Sequence, residues 1–151
     1  MDFLKKIQEV TKKLDKRIDW DEYFMSICLL TSIRSSCNRL HVGCLIVRDN
    51  RILSTGYNGF LAGYPHKSIV KNNHEQATVH AEQNAISHAA RNGININKSK
   101  AYITHYPCIN CFKSLLSSGI NEIYYLNNYK NDSTVEELIR ESNILIKQVI
   151  I

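Results

Sequence analysis

Over the first 18 residues, Leu4, Ile7, Thr11, Leu14 and Ile18 fall on one helical face. The pattern predicts an amphipathic helix packed on the domain or on a partner subunit. The stretch DWDEYFMSICLLTSIRSS predicts a second helix, with Asp19 or Asp21 as its cap. Two β-rich runs follow, VGCLIVRDN and RILSTGYNG, with Asp49-Asn50 between them as a hairpin signal. Residues 60–77 hold Gly63, Pro65 and many polar side chains, and read as a loop. Residues 79–91 read as a helix stopped by Gly93. KAYITH is a strand, and PCINCFKSLLSSG is a helix opened by proline and closed by glycine. NEIYYLN is a strand, and STVEELIRES is a helix with a capping pattern from Ser133 or Thr134. NILIKQVII is a last strand. The order α-α-β-β-α-β-α-β-α-β predicts an α/β fold. Strands separated by helices favour parallel pairing, in a sheet covered on both faces.

Composition narrows the class. A chain of 151 residues can build one core, and 44% apolar with 22% charged residues is ordinary for a soluble globular protein. No run approaches the roughly 18 apolar residues of a membrane helix. The N-terminus has no apolar signal core, so a cytoplasmic setting without a membrane partner is expected. The net charge of +5 divides into +3 over residues 1–18 and +2 over the remainder. The body is therefore nearly neutral, which argues against nucleic acid as a partner. Residues 1–18 read as a helical extension and residues 19–151 as one domain, with no repeat or linker.

The candidate chemistry sits in two fragments, VHAEQNAI and HYPCINCF. Cys108 and Cys111 are three apart at a predicted helix start, so both sulfurs can reach one ion. The helix N-terminus favours thiolate, the form that binds zinc. By itself a Cys-x-x-C is a redox pair, a metal site or two core cysteines. No second such pair exists, and His80, also at a predicted helix start, is the best third ligand. Three protein ligands with one place left for water are typical of catalytic zinc. Glu82, two residues beyond His80, points elsewhere on its helix and can reach that water as an acid/base. The five cysteines (Cys28, Cys37, Cys44, Cys108 and Cys111) are an odd number, which argues against a disulfide framework.

The joint pattern His80-Ala81-Glu82 followed by Pro107-Cys108-Ile109-Asn110-Cys111 is the signature of zinc nucleobase deaminases. With DWDEYFM, RSSCNRLHVGCLIV, TGYNG, HAEQNAISHAARNG, YITHYPCINC and SGINEIYYLN, residues 19–127 resemble the deoxycytidylate deaminase family. The resemblance implies a three-layer α/β/α, cytidine-deaminase-like fold with a five-stranded mixed sheet. It implies hydrolysis of dCMP to dUMP and ammonia, supplying thymidylate synthesis, with one catalytic Zn2+ per subunit. Glu82 would take a proton from the attacking water, protonate N3 and help ammonia leave. Asn58 would contact the nucleoside, with a turn residue as the alternative. Arg34, Ser35 and Asn38 stand where phosphate contacts are expected, Ala81 belongs to the site, and Tyr106 and Tyr125 would wall the pocket. Arg91 matches a position linked to regulation, which in the family involves dCTP, dTTP and Mg2+. A homo-oligomer, commonly a hexamer, is implied as well.

Some relatives carry a second zinc site, for which Cys37, His66 and His74 are the candidates here. Lys67 and Glu75 stand where two of its cysteines would fall, so a second zinc is not expected. Leu61 replaces the usual proline after GYNG, in the region linked to regulation. Rival readings keep the site and change the substrate, to dCTP, to both nucleotides, to a free nucleoside or to a tRNA adenosine. Others make the domain a zinc-stabilised module without catalysis or a thiol-redox protein, the last with no role for His80 and Glu82.

Overall fold

The computed structural model describes residues 2–150. Strand β1 (Gly43–Arg48) turns into β2 (Arg51–Tyr57) through Asp49 and Asn50, whose φ angles are 51° and 57°. This mirror-image turn matches the twist of the two strands, and Asp and Asn tolerate it better than most side chains. The expected loop over residues 60–77 is a closed excursion with its own structure. β3 (Gly59–Phe60) pairs with β6 (Thr78–Val79) at its base, and β4 (Val70–Lys71) pairs with β5 (His74–Glu75) at its tip. Asn72 and Asn73 make that tip, with φ of 49° and 60°. No alternating apolar run flanks them, so the usual hairpin signal was missing.

The main sheet runs in the order β2, β1, β7 (Ser99–His105), β8 (Ile120–Asn127), β9 (Leu145–Gln148). β7, β8 and β9 pair in parallel, across the helices α4 (Ile109–Ser117) and α5 (Ser133–Glu141). Parallel pairing fails at β1, which is antiparallel to both β2 and β7. The hairpin places β1 beside β7, so the crossover from β2 through α3 (Ala81–Arg91) skips one position. The sheet is therefore mixed.

Period-two alternation sorts the core. Cys44, Ile46, Ala101 and Ile103 pack with α3, α4 and α5, while Leu45, Val47, Tyr102 and Tyr124 pack with α2 (Trp20–Ser32). The result is three layers, α/β/α. Two glycines let the helices seat closely. A Cβ on Gly43 would lie 2.2 Å from the Cys28 carbonyl of α2, and one on Gly56 would lie 2.1 Å from the Ala81 carbonyl of α3. Ala81, Ala85 and Ala89 keep the matching face of α3 small.

The N-terminal helix is shorter than the periodicity suggests. α1 (Phe3–Lys12) buries none of its residues, and residues 13–19 leave the helix. Asp19 caps α2, accepting from Glu22 N–H at 2.8 Å while Glu22 accepts from Asp19 N–H at 3.2 Å. That capping box requires extended backbone at Asp19, which interrupts any continuous helix. Asp21, the other capping candidate, accepts instead from the Tyr102 hydroxyl. α5 is capped by Asp132 and not by Ser133 or Thr134.

Replacing Gly56 by Ala should loosen the seat of α3, because its new methyl would meet helix backbone. Overpacking of this kind costs about 1–3 kcal/mol, and each kcal/mol lowers Tm by roughly 2–4 °C at this chain length. Calorimetry of Gly56→Ala should show a Tm several degrees lower, and an unchanged Tm would contradict the close-approach account.

Candidate functional site

α4 starts just beyond the carboxyl end of β7, and α3 starts beside it. The expected helix over residues 79–91 begins only at Ala81, because Val79 belongs to β6 and His80 is the N-cap. That cap makes no side-chain hydrogen bond, which leaves the imidazole free. Similarly, Pro107 lies before the helix, and Cys108 is the N-cap of α4, its sulfur accepting from Cys111 N–H. Gln83 donates to the Ser114 hydroxyl at 2.7 Å and ties α3 to α4. Ser54 donates to the Ala85 carbonyl at 2.7 Å and ties α3 to β2.

The two helix starts bring His80, Cys108 and Cys111 together, with one donor atom from each lying within 4.8 Å of the others. His80 Nδ1 is 3.7 Å from Cys108 Sγ and 3.3 Å from Cys111 Sγ. Zinc bonds of about 2.3 Å to sulfur and 2.0 Å to nitrogen, at a tetrahedral angle, separate neighbouring donors by about 3.6 Å. The donor set therefore fits zinc in both type and spacing. Among the described residues no other group of His, Cys, Asp and Glu converges in this way.

The proton balance suits a cation as well. Hydrogen bonding from Cys111, aided by His80, lowers the Cys108 thiol to about 4. Cys111 is pushed up, first by its hydrogen bond to Cys108 and then by burial. The pair thus shares one proton and one negative charge, which a metal ion would stabilise while displacing the proton. Glu82 is buried within the first turn of α3, and burial raises its carboxyl above the usual range. A carboxyl so raised takes up and returns a proton more readily near neutral pH than an exposed one.

His80, Cys108 and Glu82 line a cavity of about 570 Å3, together with Ala81, Asn58 and Tyr106. Asn58 also braces the segment leading into β1, donating to the Leu40 carbonyl at 2.7 Å and accepting from Val42 N–H at 2.8 Å. Arg34, Ser35 and Asn38 do not line the cavity. The Ser35 hydroxyl is committed to the Asn58 carbonyl, and Arg34 and Asn38 are exposed. Tyr125 stands behind the wall, edge-on to Tyr106 with ring centroids 5.0 Å apart. Arg91 lies in the exposed last turn of α3 and lines neither this cavity nor the one beside it. Cys37 and His74 reach the cavity edge while His66 stacks on Phe60, so the three form no donor set. Cys28 and Cys44 are core residues whose thiols burial pushes up.

Sequence reasoning missed Arg39, His105, Tyr129 and Lys130, which also line the cavity. Arg39 stood one residue past the quoted candidates, and Lys130 lies beyond the last matching stretch. His105 could be found only through its contacts. The Thr104 hydroxyl accepts from Gly43 N–H at 3.1 Å and lies 2.9 Å from His105 Nδ1. Burial lowers the pKa of His105 and favours the neutral form.

A family model for the cytidine and deoxycytidylate deaminase zinc-binding region matches residues 18–127. ComE operon protein 2 of Bacillus subtilis is 40% identical over 138 residues, which are 89% of this chain and 73% of that protein. Deoxycytidylate deaminase of Saccharomyces cerevisiae is 33% identical over 87% of this chain, which spans only 45% of the yeast protein's length. The crystal structure of dCMP deaminase from the cyanophage S-TIM5 in complex with dCMP and dUMP matches with a TM-score of 0.79 and 26% identity. That match covers 89% of this chain and 99% of the phage chain.

His80→Ala and Cys111→Ala should each strip zinc from the purified protein, which otherwise retains about one ion per chain. Metal analysis after dialysis reads this, and full zinc in either variant would remove that residue from the donor set.

Proposed function

We propose that this chain, which belongs to the cytidine and deoxycytidylate deaminase family, hydrolyses dCMP to dUMP and ammonia. The observation that carries the reading is the buried carboxyl of Glu82 in the cavity that His80 and Cys108 line, with Cys111 completing their donor set. Deoxycytidylate deaminases among the relatives, and the phage structure holding dCMP and dUMP, support the choice of substrate.

His80, Cys108 and Cys111 would hold zinc, which as a Lewis acid makes a water molecule nucleophilic near neutral pH. Glu82 would take the proton of the attacking water and carry it to N3 of the cytosine as the C4–O bond forms. A second proton passes through the same carboxyl to the 4-amino group, the C4–N4 bond breaks, and ammonia leaves. One water is consumed and the keto oxygen of dUMP is formed. Such a shuttle needs a carboxyl that gains and loses its proton readily, and the raised pKa of Glu82 is suited to that. Ala81, at the same helix start, is small enough to leave the floor open to a ring, and Tyr106 supplies an apolar wall. Asn58 stands where it can meet the sugar with the amide groups that Leu40 and Val42 leave free.

The five free thiols fit a reducing compartment, and we read the cytoplasm as the setting. Among the described residues no helix is long and apolar enough to cross a membrane. Residues 1–18 act as an extension to the domain that follows. Self-association, to the hexamer of the family, is supported by exposed apolar side chains along α1 and α2. Leu4 is 71% exposed, Val10 60% and Ile33 56%. Sedimentation of the zinc-loaded protein should show an oligomer, and a monomer at micromolar concentration would contradict it. Nothing around Arg91 supports a site for dCTP, dTTP or magnesium there.

Glu82→Gln should keep its zinc and lose roughly 10²- to 10⁴-fold in kcat on dCMP. Ammonia release and metal analysis on the same sample check both halves. Equal turnover by the variant and the wild type would eliminate Glu82 as the proton carrier.

A further inference from the structure

The N-terminal helix carries an apolar stripe that the rest of the chain does not cover. Projected at 3.6 residues per turn, Phe3, Leu4, Ile7, Val10 and Thr11 occupy about a third of the circumference of α1. Packing on the domain is the expectation from the sequence, yet α1 buries none of its residues. Phe3 is 50% exposed, and Leu4 and Val10 are more so. The helix is well terminated all the same. Asp2 caps it, accepting from Leu4 N–H at 3.3 Å, and Lys12 sits in the last turn, at the negative end of the helix dipole. Its 10 residues are fewer than the roughly 12–15 that an isolated helix needs in water. A capped helix of this length without tertiary support gains its stability from a surface that covers the stripe.

The charges beside the stripe say which kind of surface. Lys6 borders it on one side, followed by Lys13 at the C-cap, and Lys5 and Lys12 lie along the other side, beyond Gln8. Glu9, the acidic residue within α1, stands on the opposite face. None of these lysines enters a salt bridge among the described residues. Lys16 and Arg17 follow in the segment that leads to α2, so residues 1–18 set six cations against Asp2, Glu9 and Asp15. A second copy of α1 is a poor occupant. With lysines on both flanks, a parallel or an antiparallel pair would set like charges against each other. The family model begins at residue 18, so α1 also stands outside the domain that the family shares. An anionic surface with an apolar layer beneath its charges matches the stripe and both flanks at once.

We infer that α1 docks on an anionic lipid surface. It lies flat among the headgroups, with its apolar stripe at the boundary of the acyl chains and its flanking lysines reaching out to the lipid anions. The helix is about 15 Å long against a hydrocarbon core of about 30 Å, so it rests on the membrane and does not cross it. The attraction weakens with salt, because the field of an anionic leaflet falls off within a Debye length. Leu29, Leu30 and Ile33 of α2 remain exposed for self-association. An oligomer presents several copies of α1 to one membrane, which strengthens docking without any new contact. No residue of α1 lines the cavity, so the inference stands apart from the deaminase reading.

The experiment is co-sedimentation of the zinc-loaded full chain with vesicles of phosphatidylcholine alone and of phosphatidylcholine mixed with phosphatidylserine. Binding to the mixed vesicles should exceed binding to the neutral ones by about 10-fold or more, and should fall as salt rises. The helical signal in circular dichroism should rise on the mixed vesicles. Leu4→Asp places a charge in the stripe and should weaken binding by roughly 10-fold or more. Exchanging Lys5, Lys6, Lys12 and Lys13 for Gln should weaken it by about 5-fold per lysine. Because α1 buries nothing, these variants should keep the Tm of the wild type. A wild type that ignores both vesicles, or binds both equally, overturns the inference. If the vesicles are ignored and Leu4→Asp instead lowers the sedimenting mass of the protein, a second copy covers the stripe. If Leu4→Asp binds like the wild type while the lysine exchanges abolish binding, α1 is a plain polycation and the docked stripe is refuted.

Discussion

The site depends on two helix N-termini held side by side at the carboxyl end of the central strand β7. His80 and Cys108 are both N-caps, so each has extended backbone and a side chain projecting ahead of its helix. Cys111 follows one turn into α4, on the same side as Cys108. Move either helix by an ångström or two and the three donors no longer meet at one point. Much of the surrounding structure serves that spacing. Gly56 and the alanines of α3 let the helix settle on β2, Ser54 and Asn84 bind it to that strand, and Gln83 bridges to α4.

The same placement explains the division of labour inside the pocket. The donor atoms sit where helix dipoles favour thiolate. Glu82 points inward from the first turn of α3, where burial keeps its carboxyl poised to bind a proton. Arg39 and Lys130 line the same cavity, and Glu75 is held within its own loop by the N–H groups of Ile69 and Ala77. One cavity therefore holds a buried carboxyl beside two of the metal-donor residues and two cations on its lining.

The helices, strands and donor set were legible because each has a local signal. Asp49-Asn50 announced a hairpin, the spacing of Cys108 and Cys111 announced one helix face, and the alternation in β1 divided the two sides of the core. Long-range placement was not legible. Nothing local says that β1 inserts between β2 and β7, since register across a crossover depends on packing of the whole sheet. Which cations line the cavity was hidden for the same reason. Arg34 and Arg39 lie five residues apart, and only the fold decides which one reaches the cavity. Residues 13–18 read as helix because their apolar spacing continues, but the capping box at Asp19 prevails over it. His105 carried no pattern at all, and its place on the cavity beside the Thr104 hydroxyl emerges only from the fold.

The most direct test of the account is a crystal structure of the zinc-loaded protein with anomalous scattering recorded at the zinc edge. The account predicts one strong peak bonded to His80 Nδ1, Cys108 Sγ and Cys111 Sγ, with a fourth ligand that belongs to no side chain and lies within hydrogen-bond reach of Glu82. A peak elsewhere, or a fourth protein side chain closing the coordination sphere, would contradict it.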